Sequence, residues 1–155
     1  MKRTYVALVI IIAVAAIGIG VYLSITNLFV DSQVSQFANR LNSTGLSATI
    51  MGSSPDDILS PLGCRRLSVD GEWVSVFVYS DSFSAEADAL RLSPDGGCYN
   101  GGGFLGFGTT TCVDWVDFAH FYMNQNLIVL YVGHNSTLQN ALQNILGPQF
   151  AGYFG

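Results

Sequence analysis

The sequence predicts an α+β protein, in which an N-terminal transmembrane helix precedes a small ββαββα-type domain with a mostly antiparallel sheet. Two observations support this fold class. An apolar run of 18 residues from Val6 to Leu23 opens the chain. Two apolar segments, each interrupted by a turn signal, are then each followed by a helical pattern. We expect a transmembrane segment at 1–30, a stalk helix at 31–45 and an extracytoplasmic domain at 46–155.

The apolar run predicts where the protein resides. A helix needs roughly 20 apolar residues to cross the hydrocarbon core, whereas a cleavable signal peptide has about 7–15. The run therefore favours an uncleaved anchor, with cleavage as the alternative. Lys2 and Arg3 precede it and Asp31 is the first charge after it. The positive-inside rule then places the N-terminus in the cytoplasm and the domain outside a cell membrane that is crossed once.

Charge and cysteine content narrow the partners. Residues 31–155 carry four arginines against eleven acids, a formal charge of −7 that disfavours nucleic acid. Three cysteines in an oxidising compartment predict one disulfide. Cys98 and Cys112 are the nearest pair and our first expectation, and Cys64 is the alternative partner of either.

The first half of the exported part has recognisable elements. Val30, Val34, Phe37 and Leu41 recur at helical spacing and predict the stalk helix, which either binds a partner or lies on its own domain. A first strand is expected near 46–51, followed by a loop. Asp70-Gly71 then predicts a tight turn between strands at 65–69 and 72–80. The helix that follows would have one apolar face, made of Phe83, Ala87 and Leu90.

The second half begins with a glycine-rich segment, 96–111, and continues as a hairpin. Strands are expected near 111–122 and 127–133. In the last helix Ser136 and Gln139 have the spacing of a capping box, and Gly147-Pro148 ends it.

The strand at 73–79 is apolar on both faces, which predicts that both faces of the sheet are covered. One face would be covered by the two helices. The other would be covered by the stalk helix, by the glycine-rich loop or by a partner protein. The candidate interface residues are the loop aromatics and two strand aromatics: Tyr99, Phe104, Phe107, Trp73 and Phe77.

The spacing of polar residues predicts no catalytic residue, metal site or cofactor. Asp114 and His120 would share one face of a strand about 20 Å apart, which is too far for a common ion. His134 has no partner at metal-ligand spacing. The carboxylates of Glu86 and Asp88 are expected on a solvated helix face, and Asp56-Asp57 at a helix start.

The C-terminal third resembles a known type of tail. His120-Phe121-Tyr122, the strand 127–133 (LIVLYVG) and the segment 146–152 (LGPQFAG) are similar to a tail of small exported or membrane-anchored bacterial proteins of uncharacterised function. The resemblance covers roughly residues 113–152 and implies export without assigning an activity. Type IV pilins also start with an apolar helix, but their glycine before a phenylalanine and their glutamate five residues into the helix are absent here.

These observations favour a membrane-anchored, protein-binding domain that serves as an accessory or assembly subunit of a membrane complex. The alternative is a small-ligand-binding or sensor domain, with a cavity between the sheet and the glycine-rich loop. An enzyme that uses His120 or His134 with Asp114 is the least favoured reading.

Overall fold

A computed structural model describes residues 2–54, 58–101 and 108–154, without the side chains of 2–14, 16 and 17. The described chain is an α+β fold whose main sheet is antiparallel throughout, with strand order β1-β2-β3-β7-β6-β8, and β4 and β5 form a separate hairpin. The elements in chain order are α1 (Lys2–Ser43), β1 (Ala48–Ser53), β2 (Gly63–Val69), β3 (Glu72–Val78), α2 (Ser82–Ala89), β4 (Cys98–Asn100), β5 (Thr110–Cys112), β6 (Ala119–Asn124), β7 (Leu127–Val132), α3 (Ser136–Leu146) and β8 (Gln149–Gly152).

Helix α1 is continuous from Lys2 to Ser43, so the predicted stalk is its C-terminal part. Val30, Val34, Phe37 and Leu41 are buried. They belong to a core that also includes alternate residues of β2, β3 and β7, Tyr122 of β6 and the apolar side of α3. We call this side of the sheet the α1 face. The stalk pattern therefore reflects a helix that lies on its own domain.

The opposite side of the sheet, which we call the α2 face, has its own core. Phe77 from β3 and Tyr79, the residue after it, belong to the same core as Ala85 and Ala89 from α2. The expectation that the two later helices share one face was wrong, because α2 and α3 leave neighbouring strands toward opposite sides. The two-sided apolar pattern of β3 thus corresponds to a sheet that is covered largely by its own chain.

The hairpin turns follow local backbone chemistry. Asp70 and Gly71 have φ values of +49° and +89°, the left-handed conformation that a two-residue turn requires. The turn between β6 and β7 places Gln125 at φ +52°. The predicted strand at 111–122 is wrong in its middle, because the chain between β5 and β6 is a loop.

Two helix predictions need correction. The N-cap of α3 is Asn135, whose side chain accepts hydrogen bonds from the backbone N–H groups of Thr137 and Leu138. Ser136 is therefore the first residue of the helix and not its N-cap. In α2 the buried side is Ala85, Asp88 and Ala89, not the predicted apolar face. Small alanines allow close approach to β3, and this rotation leaves Phe83 and Leu90 in solvent.

Among the described side chains, no helical stretch is both long and apolar enough to cross a membrane. Most of the apolar run at 6–23 lies outside those side chains. The described part from Gly18 to Leu28 does not touch the domain core, and its apolar side chains are exposed: Ile19, Val21, Tyr22, Leu23, Ile25 and Leu28.

Candidate functional site

The α2 face has an open groove where α2 does not reach, near the end of the sheet that carries the Asp70-Gly71 turn. Its volume is about 290 Å³. Its walls contain two tryptophans, one positively charged side chain and one negatively charged side chain, and its floor is formed by β3 and β7. The lining residues are Arg66, Trp73, Ser75, Asp114, Trp115, Val116, Leu130 and Val132. We call this the tryptophan groove.

One wall comes from the β2–β3 hairpin. The antiparallel register pairs Arg66 with Ser75 and Ser68 with Trp73. The Arg66 guanidinium carbon lies 5.6 Å from the centroid of the Trp73 ring, within cation–π range. Trp73 is 51% exposed, so much of its ring faces the solvent.

The other wall is the loop between β5 and β6. The Trp115 indole N–H donates to the backbone oxygen of Gly96 at 2.9 Å, and its ring meets Phe121 edge to face at 6.2 Å. These contacts hold Trp115 in place, whereas Val116 next to it is fully exposed. The groove therefore offers aromatic walls together with a guanidinium and a carboxylate, a combination that suits the binding of an amphipathic group.

A buried carboxylate lies elsewhere under the α2 face. Asp88 accepts hydrogen bonds from the Tyr79 hydroxyl at 2.7 Å and the Tyr99 hydroxyl at 2.5 Å. It also accepts from the backbone N–H of Ser60 at 2.7 Å, and Arg91 lies 3.5 Å away. Burial, and then the hydrogen bond to Asp88, raises the pKa of Tyr79 above its usual range. The prediction of a solvated Asp88 was wrong, because this carboxylate joins α2 to β3 and β4, while Glu86 is exposed as expected.

The histidines lie in separate networks. Buried His120 faces the Gln149 side-chain oxygen through Nδ1 at 2.8 Å. Its Nε2 lies 3.0 Å from the backbone oxygen of Gly133 and 3.0 Å from the side-chain amide nitrogen of Gln139 on α3. His134 instead pairs with Asp117 at 2.9 Å on the surface. A backbone N–H of Phe118, and then His134, lower the pKa of Asp117.

Asp114 lines the tryptophan groove, whereas His120 belongs to the α3 side of the sheet. The structure thus does not bring together the residues of the predicted enzyme hypothesis. Of the side chains that the structure describes, no three metal-ligating ones form a cluster.

The predicted interface residues separate into three groups. Trp73 is exposed in the tryptophan groove. Phe77 is fully buried because it fills the core of the α2 face. Tyr99 is nearly fully buried because its hydroxyl reaches Asp88. Neither side chain therefore offers surface to a partner. Phe104 and Phe107 lie outside the described residues, as does Asp56-Asp57.

The disulfide prediction is confirmed. Cys98 and Cys112 are bonded across the β4–β5 hairpin, where they are directly paired in the register. Cys64 lies on β2 and is not part of this bond. The sequence did not predict that Trp115 lines a groove or that Asp88 is buried. Neither residue belongs to a periodic apolar pattern along the chain that would have indicated its position.

The comparisons with known proteins add no information on this groove. No family model, curated protein sequence or solved structure matches the chain.

Proposed function

We propose that the chain is a single-pass membrane protein whose extracytoplasmic domain binds another protein, as an accessory or assembly subunit of a membrane complex. The N-terminus would be cytoplasmic and the domain would lie on the outer side of the cell membrane. The observation that carries the proposal is the character of α1, which buries one side against the domain from Val30 to Leu41 and exposes apolar side chains before Val30.

The exposed part of α1 is apolar on more than one side. Tyr22 and Leu23 follow Ile19 by about one turn and share its side of the helix, while Val21 and Ile25 lie on the other side. A helix that is apolar all round needs an apolar environment. The sequence extends this character toward the N-terminus through Val6. A bilayer supplies such an environment for roughly 20 residues.

The docking of α1 supports a role in assembly. The helix continues without a break from the apolar part into the core of the α1 face, so the domain keeps a fixed position on its anchor. Arg40 on α1 donates to the backbone oxygen of Ile145 on α3 at 2.7 Å and strengthens this attachment. A rigidly held domain can present a surface at a constant height and orientation to the extracytoplasmic part of a partner. The exposed Trp73 is our best-placed aromatic anchor for that contact.

Purification of the full chain from membranes in a mild detergent tests the proposal. We expect the chain to resist extraction by alkaline carbonate and to elute with a stoichiometric companion, and a Trp73→Ser variant to remain in the membrane while it loses that companion. A chain extracted by carbonate would refute the anchor. A monodisperse monomer under several mild detergents would refute the accessory role.

The tryptophan groove favours a second candidate function, the binding of a small amphipathic ligand with a flat apolar group. Its volume of about 290 Å³ is at the small end of ligand sites. Titration with indole, followed through the tryptophan indole N–H signals by NMR, tests this candidate. Saturable shifts that disappear in Trp73→Ala would support it, and shifts that never saturate would refute it.

A further inference from the structure

The end of the domain where α1 leaves it has its own apolar surface. The backbone of β2 lies directly against α1 there, since a Cβ placed on Gly63 would be 3.0 Å from a methyl carbon of Val30. The residue before Gly63 is Leu62, which is 42% exposed and donates its backbone N–H to Val78 at the end of β3.

Helix α2 begins at this same end. Tyr79, the residue after β3, donates its backbone N–H to Asn126 in the turn before β7. Four residues later Phe83 lies in the first turn of α2 and is 79% exposed. Two large apolar side chains, those of Leu62 and Phe83, are therefore exposed at the end of the sheet where α1 leaves the domain.

The length of α1 sets the height of this end above a bilayer. If the hydrocarbon core of about 30 Å is filled by the 20 residues from Val6 to Ile25, Val30 lies about 7.5 Å farther along the helix. The headgroup layer on each side of the core is about 5–7.5 Å thick. Gly63, which touches Val30, would then lie at the outer limit of the headgroups, with Leu62 beside it.

The polar groups at this end suit a headgroup layer. Arg65 forms an ion pair with Asp31 at 2.8 Å and donates to Asn27 at 3.3 Å, so its charge is neutralised on α1 itself. Asp81, the N-cap of α2, is the other charged residue that the structure describes here. The net charge is not positive, so attraction to anionic lipids does not contribute.

We propose that Leu62 and Phe83 insert into the headgroup layer of the bilayer that holds α1, so that the domain stands on the membrane through this end. The inference rests on the proposed membrane anchor. It adds a second, lipid-facing contact that fixes the tilt of the domain and directs the tryptophan groove, at the opposite end of the sheet, away from the membrane.

Spin labels test the contact in the full chain. Single cysteines replace Leu62, Phe83 or, as a control, Val116, which is fully exposed beside the tryptophan groove. The background is Cys64→Ala, with Cys98 and Cys112 left in their disulfide. The chain is reconstituted into phosphatidylcholine vesicles, and collisions of each nitroxide with oxygen and with a water-soluble nickel complex are measured. Circular dichroism confirms that each variant is folded.

We expect the oxygen-to-nickel collision ratio to be several-fold higher at positions 62 and 83 than at 116, and unchanged when phosphatidylserine is added to the vesicles. A ratio equal to that of the control at either position overturns the lipid contact. Flotation of the same samples on a density gradient distinguishes the two proposals. A chain that floats while both labels report water refutes only the lipid contact, whereas a chain that does not float refutes the anchor.

Discussion

The buried carboxylate of Asp88 should make one of the largest single side-chain contributions to the stability of the domain. Replacing Asp88 with alanine removes the acceptor of two tyrosine hydroxyls and one backbone N–H. A buried donor left without an acceptor costs about 1–3 kcal/mol. Ser60 is exposed, so water can replace that acceptor, but Tyr79 and Tyr99 are buried. We expect a loss of about 3–4 kcal/mol from the free energy of unfolding, out of a typical total of about 5–15 kcal/mol.

Urea unfolding of the full chain in a mild detergent, followed by tryptophan fluorescence, measures this loss. Trp115 packs on Phe121 in the same core as Tyr79, so its emission reports on the region that changes. The dependence of the free energy on urea should stay constant, because the surface exposed on unfolding does not change.

Matched variants separate the buried carboxylate from general effects on α2. Glu86→Ala changes an exposed carboxylate on the same helix and should alter stability by less than about 0.5 kcal/mol. Tyr79→Phe removes one donor but leaves the carboxylate with its other partners, so we expect about 1 kcal/mol. If Asp88→Ala costs no more than Glu86→Ala, the network does not stabilise the fold and our reasoning is refuted.

Three further predictions concern the loops and caps. Replacing both Cys98 and Cys112 by alanine should cost about 2–3 kcal/mol in non-reducing urea unfolding, because the bond closes a loop with a sequence separation of 14; an unchanged midpoint would contradict this. Gly147→Ala should cost about 1–2 kcal/mol in the free energy of unfolding, from its φ of +100° alone. Gly152→Ala, at φ +107°, would also overlap the backbone oxygen of Ala119 in β6 and should cost at least twice as much by the same assay. Equal losses for the two variants would refute the overlap. The backbone N–H groups that Asp81 caps lower its pKa in the folded state below the unfolded value of about 3.9. The contribution of Asp81 to the stability of the fold is therefore complete above that unfolded value. It is lost as the pH falls through the folded-state pKa. Thermal melts between pH 2 and 6 (roughly the range that brackets these values) should show a smaller pH dependence in Asp81→Asn than in the parent, and parallel curves would contradict the assignment.

Features that depend on neighbouring residues were predictable from the sequence. The Asp70-Gly71 turn was predicted because positive φ values favour these residue types. The buried stripe of α3 has a helical periodicity that is visible in the sequence, and its members are Leu138, Ala141, Leu142, Ile145 and Leu146. Pairing of the nearest cysteines followed from their separation and was confirmed across the β4–β5 hairpin.

Features that depend on distant contacts were not predictable in this way. The periodicity of α2 placed Phe83 on a buried side, but the reach of Asp88 to Tyr79 and Tyr99 rotates the helix so that Ala85 is buried instead. Because a carboxylate is normally solvated, its local sequence gave no reason to expect burial.

The tryptophan groove shows the same limit. Trp73 was predicted as a candidate interface residue, but the opposite wall of the groove, with Trp115, comes from a segment that was predicted to be a strand and is a loop. The backbone oxygen of Gly96 holds that indole, and the two residues are far apart along β4, β5 and the loop that follows.

The sequence by itself determined the α+β class, the apolar character of the first helix and the two hairpins with their following helices, and it favoured Cys98 and Cys112 as the disulfide pair. These properties depend on short-range backbone preferences and on burial periodicity, which neighbouring residues encode. Only the tertiary structure decided which face each helix covers, that Asp88 is buried, and that Leu62 and Phe83 project at the end where α1 leaves the domain. These properties depend on which distant groups must satisfy one another's hydrogen bonds and fill one another's volume, and no single segment contains that information.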